Sequence, residues 1–184
     1  SHAGLAQIFF ALTVTLALVT SRTWRQPPHA PVDDPSLRRR MAILTALVYG
    51  QILLGATMRH TGAGLAIPDF PLSYGRLLPP VWTTPIAIHF AHRVGALVVA
   101  SVALANIVAV VRRHGDRSEL ARPAWLLAAA IATQITLGAY VVLTAKQPIV
   151  NTLHVATGAI VFVTSLVLTL RLFRVRFAQS GHAS

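Results

Sequence analysis

The chain has 184 residues, of which 54% are hydrophobic and only 11% are charged, a composition too apolar for an ordinary soluble domain. Its formal net charge of +11 would suit nucleic acid, but the basic residues stand between long apolar runs rather than along one face, which argues against a nucleic-acid partner. The absence of cysteine excludes disulfides and thiolate metal sites in this chain. The composition therefore indicates an integral membrane protein whose main surroundings are the lipid bilayer.

Five apolar runs are long enough to cross the roughly 30 Å hydrocarbon core of a bilayer as helices. They cover residues 3–20, 41–58, 85–111, 123–145 and 151–170. Short links join the third run to the fourth and the fourth to the fifth, so neighbouring helices must be antiparallel. We predict an all-α integral membrane fold of five transmembrane helices, the last four forming an antiparallel four-helix bundle.

A polar, proline-rich linker separates the first run from the other four. Residues 1–22 are accordingly predicted to be a helix left over from something upstream, 23–40 a cytoplasmic linker, 41–176 the four-helix bundle and 177–184 a cytoplasmic tail. The sequence opens with Ser1 and the first run lacks a basic leader, so we expect a fragment without its natural start rather than a signal peptide.

The basic residues predict the orientation in the membrane. Of the 16 Lys and Arg residues, 12 follow the first, third or fifth run. By the positive-inside rule, the N-terminus of this chain lies outside and the C-terminus is cytoplasmic, in a plasma (inner) membrane. The twelve are Arg22, Arg25, Arg38, Arg39, Arg40, Arg112, Arg113, Arg117, Arg122, Arg171, Arg174 and Arg176.

An internal repeat relates the two halves of the predicted bundle. The octapeptide GQILLGAT (50–57) recurs as TQITLGAY (133–140), and each copy is followed by a helix with a histidine near its start, His92 in one case and His154 in the other. Small and amide side chains are typical of helix packing in membranes, because they let helices approach and bond to one another. Close approach could also make room for a flat ligand, and the sequence leaves both interpretations open.

His92 and His154 are the strongest candidates for a functional pair. They lie seven and six residues past Pro85 and Pro148, so both should sit roughly 10 Å into their helices from the same side. Two imidazoles at equal depth in a four-helix bundle suit the axial positions of haem iron, whereas zinc would need cysteine or carboxylate ligands that the spans do not offer. The alternative is that each histidine only bonds to a neighbouring helix. We predict a haem-binding bundle with His92 and His154 as axial ligands.

Arg93 and His89 lie beside this pair in the stretch HFAHRVGA. An ionisable residue in a membrane span is costly and indicates a functional site by default. The five spans contain no Asp or Glu, so we predict that Arg93 pairs with a haem propionate or snorkels to the outer interface. His89, one turn closer to the surface, could bond a propionate or a water, or shuttle a proton. The apolar outer loop 59–80 is expected to form a lid, with Asp69 bonding backbone amides or Arg59.

In their order and spacing these pieces resemble the haem A synthase family of cytochrome oxidase assembly. The resemblance rests on QILLGATMRHTGAGLAIPDFPLSYGRLLPP followed by HFAHR, QITLGAY and NTLHVATGA, and it covers nearly the whole chain. It implies an eight-helix protein of two similar halves, in which residues 1–22 would be the last helix of a truncated N-terminal bundle. It also implies that the protein oxidises a ring methyl group of its substrate haem O to a formyl group. One half would hold haem O, and the C-terminal half would hold a cofactor haem b.

The resemblance also implies roles for individual residues. His92 and His154 would be the axial pair of haem b, and His2 looks like a ligand of the other haem. The family's Glu-x-x-His-Arg motif, whose glutamate is implicated in catalysis, reads HFAHR here, with His89 in the place of glutamate. We therefore expect the intact protein to be the oxidoreductase and this fragment to lack the catalytic half.

Two kinds of partner are implied: the enzyme that produces haem O, and an electron acceptor. The alternative function is that of a non-catalytic bis-histidine cytochrome b, an electron-transfer protein of the membrane that would use the same histidines.

Overall fold

The computed structural model describes residues 2–25 and 33–180, with side chains as far as Arg174. Its helices are α1 (His2–Thr20), α2 (Arg22–Arg25), α3 (Pro35–His60), α4 (Thr84–His114), α5 (Ser118–Leu143) and α6 (Pro148–Ser180). All of these except α2 are long and apolar enough to cross a membrane, which confirms the predicted all-α fold with five spans. The centre of the predicted linker (26–32) and the end of the predicted tail (181–184) lie outside the described residues.

Helices α3 and α5 begin before the apolar runs that predicted them, 41–58 and 123–145. The run 41–58 becomes α3, which starts at Pro35 because the Asp34 carboxylate caps it, accepting from the Leu37 amide at 3.0 Å. Burial acts to raise the pKa of Asp34, but hydrogen bonds from Leu37, Ser36 and Arg113 hold it at about 2. Arg113 also ties the end of α4 to the start of α3, with Nη1 2.8 Å from the Asp34 carboxylate.

The last four helices form a ring of neighbours. Helix α3 packs against α4 and α6, and α5 packs against α4 and α6. Helices α4 and α6 therefore stand diagonally opposite each other, as do α3 and α5. Helix α1 lies outside this ring against α3 and α6, where the Tyr49 hydroxyl is 3.5 Å from the Gly4 carbonyl oxygen.

The tightest packing lies at one end of the bundle, which we call the arginine end: residues 35–48, 103–114, 118–130 and 161–174. Fully or nearly fully buried side chains from all four helices meet there, namely Leu37, Met41, Leu44, Ala103, Val110, Leu120, Leu127, Leu168 and Leu172. The opposite end, which we call the histidine end, comprises residues 49–60, 84–102, 131–143 and 148–160. Residues that face neighbouring helices there, such as Gln51, His92 and His154, are only half-buried. The bundle is therefore closed more tightly at the arginine end.

The long loop (residues 61–83) folds against the histidine end of α4. It contains a 3₁₀ turn, Ala63–Leu65, and buries Ile67 completely. The Asp69 carboxylate accepts from the amides of Tyr74 and Gly75, both at 2.8 Å, which confirms the backbone-amide interpretation of this residue. These hydrogen bonds, that of Gly75 foremost, lower the pKa of Asp69. The loop is therefore an ordered structure with its own internal hydrogen bonds.

Candidate functional site

His92 lies on α4 with its ring against the backbone of α3. A Cβ atom added to Gly55 would lie 3.0 Å from Cε1 of this ring, so the absence of a side chain at Gly55 makes room for the imidazole. The Gln51 amide nitrogen lies one helical turn away, 3.1 Å from His92 Nδ1 and 2.7 Å from the His92 carbonyl oxygen. No hydrogen bond to His92 Nε2 occurs among the described residues.

His154 occupies the corresponding place in the second hairpin, on α6 against α5. A Cβ atom added to Gly138 would lie 3.1 Å from Cε1 of the His154 ring. The Gln134 amide nitrogen is 3.4 Å from His154 Nε2, the long end of a hydrogen bond. His154 Nδ1 and Gln134 Oε1 are both buried without a partner in the described part of the chain.

The two histidines are seated in the same way. At each ring, Cε1 lies closest to the glycine position, Nδ1 is at 3.6 Å, and Nε2 is the more distant of the two nitrogens, at 3.9 Å for His92 and 4.0 Å for His154. The rings belong to the diagonal helices α4 and α6, at the end of the bundle where the packing is looser. Two imidazoles that rest on glycines in the same way are therefore present on diagonal helices at one end of the bundle.

His89 and Arg93 face the long loop. The Arg93 guanidinium donates to the carbonyl oxygens of Leu72 at 2.8 Å, Asp69 at 2.6 Å and Ile67 at 3.2 Å. His89 is buried, with Nδ1 3.2 Å from the Ile67 amide nitrogen and Nε2 3.2 Å from Arg93 Nε. A neutral ring carries one proton and accepts only one of these two donors. Each ring nitrogen nevertheless lies 3.2 Å from a protein N–H group, which leaves no open side for a metal and favours His92 over His89 as a ligand.

His2, the remaining predicted residue, lies apart from the pair, as does His60, to which the sequence assigned no role. His2 is exposed at the start of α1, and no recorded contact among the described residues joins it to His92 or His154. His60 is exposed at the end of α3. The assignment of His2 to a second haem stays a prediction.

The sequence pattern gave no specific role to the two glutamines. Gln51 and Gln134 each stand four residues before the glycine that seats a histidine, and each amide reaches the ring of its own hairpin. The repeat had marked both as helix-packing residues. The signal was the shared Gln-x-x-x-Gly spacing, which places the amide and the glycine on one helix face, one turn apart.

Haem fits these residues better than a metal held by protein ligands alone. The glycine positions leave room for the rings, and the buried His154 Nδ1 has no partner among the described residues. That part of the chain contains no group of three or more His, Cys, Asp or Glu side chains placed to hold a metal ion. A pair of histidines without further ligands suits the two axial positions of an iron whose other ligands come from a porphyrin.

Comparison with known proteins supports the same family as the sequence motifs. Residues 1–167 match the family model described as cytochrome oxidase assembly protein. The chain is 37% identical to a haem A synthase of Symbiobacterium thermophilum, over 71% of this chain and 43% of that protein. It is 27% identical to the haem A synthase of Halalkalibacterium halodurans over 89% of this chain and 54% of that protein, and 29% identical to that of Caulobacter vibrioides over 95% and 52%. The chain thus spans about half the length of these relatives.

Proposed function

The chain belongs to the cytochrome oxidase assembly protein family, and on that premise we propose that it forms the haem b-binding half of a haem A synthase. The complete enzyme would oxidise the ring methyl group of haem O to a formyl group. The similarity to haem A synthases supports this reaction, and the resemblance of the sequence motifs to the same family supports haem b as the cofactor of this half.

One observation carries the proposal: the equivalent seating of His92 and His154. Each ring rests on a glycine of the preceding helix, with Cε1 3.0 and 3.1 Å from the Cβ position, on helices that stand diagonally across the bundle. Helix packing alone requires no such match between two histidines. A haem iron held by one histidine from each hairpin would need such a matched pair.

The residues of this half would bind and orient the cofactor. His92 and His154 would hold the haem iron, each ring resting against a glycine of the preceding helix. Haem b bound there would supply reversible one-electron transfer. Arg93 and His89 would keep the long loop on this end of the bundle and limit the access of water to it. We assign no catalytic residue to this chain, because His89 stands where the family motif has its glutamate.

The ligand assignment is tested by the spectrum of the 184-residue chain purified in detergent with ample haem. The chain should show a low-spin bis-histidine haem, and His92→Ala and His154→Ala should each abolish that spectrum. His60→Ala is the control, because His60 is an exposed histidine at the same end of the bundle. If both alanine variants at the paired positions keep the wild-type spectrum, the assignment is wrong.

The reaction is tested by its product. The full-length protein should produce formylated haem in a host that makes haem O but lacks a haem A synthase of its own. Haem O alone in that host, with the low-spin spectrum intact, would instead favour the electron-transferring cytochrome b. The enzyme that delivers haem O and the acceptor of the electrons are the partners that this proposal requires.

A further inference from the structure

Lys146 is a half-buried cation in the link between α5 and α6, at the same end of the bundle as the paired histidines. No hydrogen bond or ion pair of its ammonium group occurs among the described residues. We propose that Lys146 binds a propionate carboxylate of the haem held by His92 and His154. This inference rests on the proposed function and deepens it, because it names a residue of this chain that recognises the charged edge of the ligand.

The backbone fixes Lys146 where the chain leaves α5. The Lys146 amide donates to the Val141 carbonyl oxygen at 2.8 Å, and the Ala145 amide donates to that of Val142 at 3.1 Å. Ala145 and Lys146 have φ angles of 50° and 65°, in the left-handed region that usually favours glycine. A long side chain therefore stands where the backbone alone favours glycine, and it starts from a turn with its own hydrogen bonds.

The Lys146 side chain reaches from the second hairpin to the long loop of the first. A Cβ atom added to Gly64, in the 3₁₀ turn of that loop, would lie 2.8 Å from Lys146 Cε and 3.0 Å from Nζ. The 3₁₀ turn packs on α3 and α4. The lysine charge also interacts electrostatically with His89, one turn before His92 on α4. The ammonium group thus lies where the two hairpins that supply the paired histidines meet.

The packing of the bundle limits where the carboxylates of a haem can point. An ionised carboxylate inside hydrocarbon is costly, so it lies near water or beside a positive charge. Aliphatic side chains from all four helices close the arginine end, whereas the packing at the histidine end is looser. The propionates of a haem between His92 and His154 would therefore point toward the long loop and Lys146.

Arg93 is the other half-buried arginine or lysine described at this end, and its guanidinium is already engaged. It donates to the carbonyl oxygens of Ile67, Asp69 and Leu72. An ammonium group carries three donors, and none of those of Lys146 is taken by a described residue. Lys146 is therefore the better placed of the two cations to bind a carboxylate. A haem has two propionates, so the contact predicted for Arg93 is compatible with this one.

The experiment titrates the 184-residue chain in detergent with haem b and, separately, with the dimethyl ester of the same haem, which carries no carboxylate charge. The wild-type chain should bind haem b more tightly than the ester. Lys146→Met removes the charge but keeps a flexible side chain. It should weaken haem b binding roughly tenfold, as expected for a hydrogen bond to a charged group, and leave the ester affinity unchanged. Lys146→Arg should keep the preference for haem b.

Arg59→Met is the matched control. Arg59 is an exposed cation at the end of α3, so this variant removes the same charge from the same end of the bundle. Both of its affinities should stay at the wild-type values. Unchanged binding of the ester also shows that a variant is folded, because the ester still requires both histidines.

Four results would overturn the inference. The wild-type chain binds haem b and the ester equally, or Lys146→Met weakens both by the same factor, which would make the lysine a contact between hairpins only. Lys146→Met changes neither affinity, which would assign its charge to lipid headgroups, or Arg59→Met weakens haem b binding just as strongly. In each case a haem spectrum that depends on His92 and His154 still supports the proposed function. If that dependence is absent, the proposed function fails and the inference fails with it.

Discussion

Gly55 and Gly138 decide where the two imidazole rings can lie. A methyl group at either position would approach Cε1 of the facing histidine to 3.0 or 3.1 Å, closer than ordinary van der Waals contact, so the ring would have to move. Because a histidine at such a site is held on several sides, a displacement of a few tenths of an ångström changes the direction in which Nε2 points. These glycines therefore determine the direction in which each ring presents its nitrogen.

Alanine at these glycines should weaken haem binding without unfolding the bundle. We expect Gly55→Ala and Gly138→Ala each to lower haem affinity roughly tenfold, because overpacking typically costs about 1–3 kcal/mol and about 1.4 kcal/mol corresponds to a factor of ten. Haem titration measures this effect. Gly50→Ala is the control, since nothing lies within 4 Å of its Cβ position. That variant should bind haem normally and gain up to about 1 kcal/mol of stability, because alanine has a higher helix propensity than glycine. Equal affinities in all three variants would contradict the prediction.

At the scale of elements, Arg93 joins α4 to the long loop. Its guanidinium donates to carbonyl oxygens of Ile67, Asp69 and Leu72, so the charge is stabilised by loop dipoles rather than by a carboxylate. This arrangement resolves how an arginine is accommodated in spans without acidic residues. The contact between Arg93 and a haem propionate remains a prediction.

Arg93→Gln should release the long loop. Hydrogen bonds to a charged group typically contribute about 1.5–3 kcal/mol, so losing even one should speed amide exchange in residues 61–83 by roughly tenfold or more. Hydrogen–deuterium exchange measures the loop directly, and Arg76→Gln is the control because Arg76 is an exposed arginine of the same loop. If exchange is unchanged in Arg93→Gln, the carbonyl contacts do not hold the loop. A large additional loss of haem affinity in that variant would support the propionate contact.

The sequence predicted the existence of the helices better than their ends or contacts. Apolar runs end where charged residues begin, yet α3 starts six residues before its run, because Asp34 caps it and Pro35 fits its first turn. The spacing to Pro85 and Pro148 predicts equal depth for His92 and His154, because helical rise is fixed, but it does not predict the glycines on which the rings rest. The partners of Arg93 could not be predicted, since backbone carbonyls are present at every residue and only the folded loop determines which ones face α4.

At the scale of the whole molecule, the two helical hairpins form a bundle with unlike ends. The arginine end is closed by buried aliphatic side chains from all four helices, whereas the histidine end brings together the amides, glycines and imidazoles of the repeat. Most of the buried aliphatic packing therefore lies away from the histidine pair, at the other end of the bundle. Because the two ends differ, the orientation of the bundle decides on which side of the membrane the histidine pair lies.

The positive-inside rule predicts that the arginine end faces the cytoplasm and the histidine end faces outward. The chain contains no cysteine, so single cysteines can report the side of the membrane without any background from the parent protein. Leu77 is 84% exposed in the long loop, and Ser118 is exposed where α5 begins at the opposite end of the bundle. In intact cells a membrane-impermeant thiol reagent should label Leu77→Cys and leave Ser118→Cys unlabelled, and inverted vesicles should give the reverse. Labelling of Ser118→Cys in intact cells with Leu77→Cys protected would invert the orientation and place the histidine pair near the cytoplasmic face. The site would then have to receive its haem, and exchange its electrons, from the other side of the membrane.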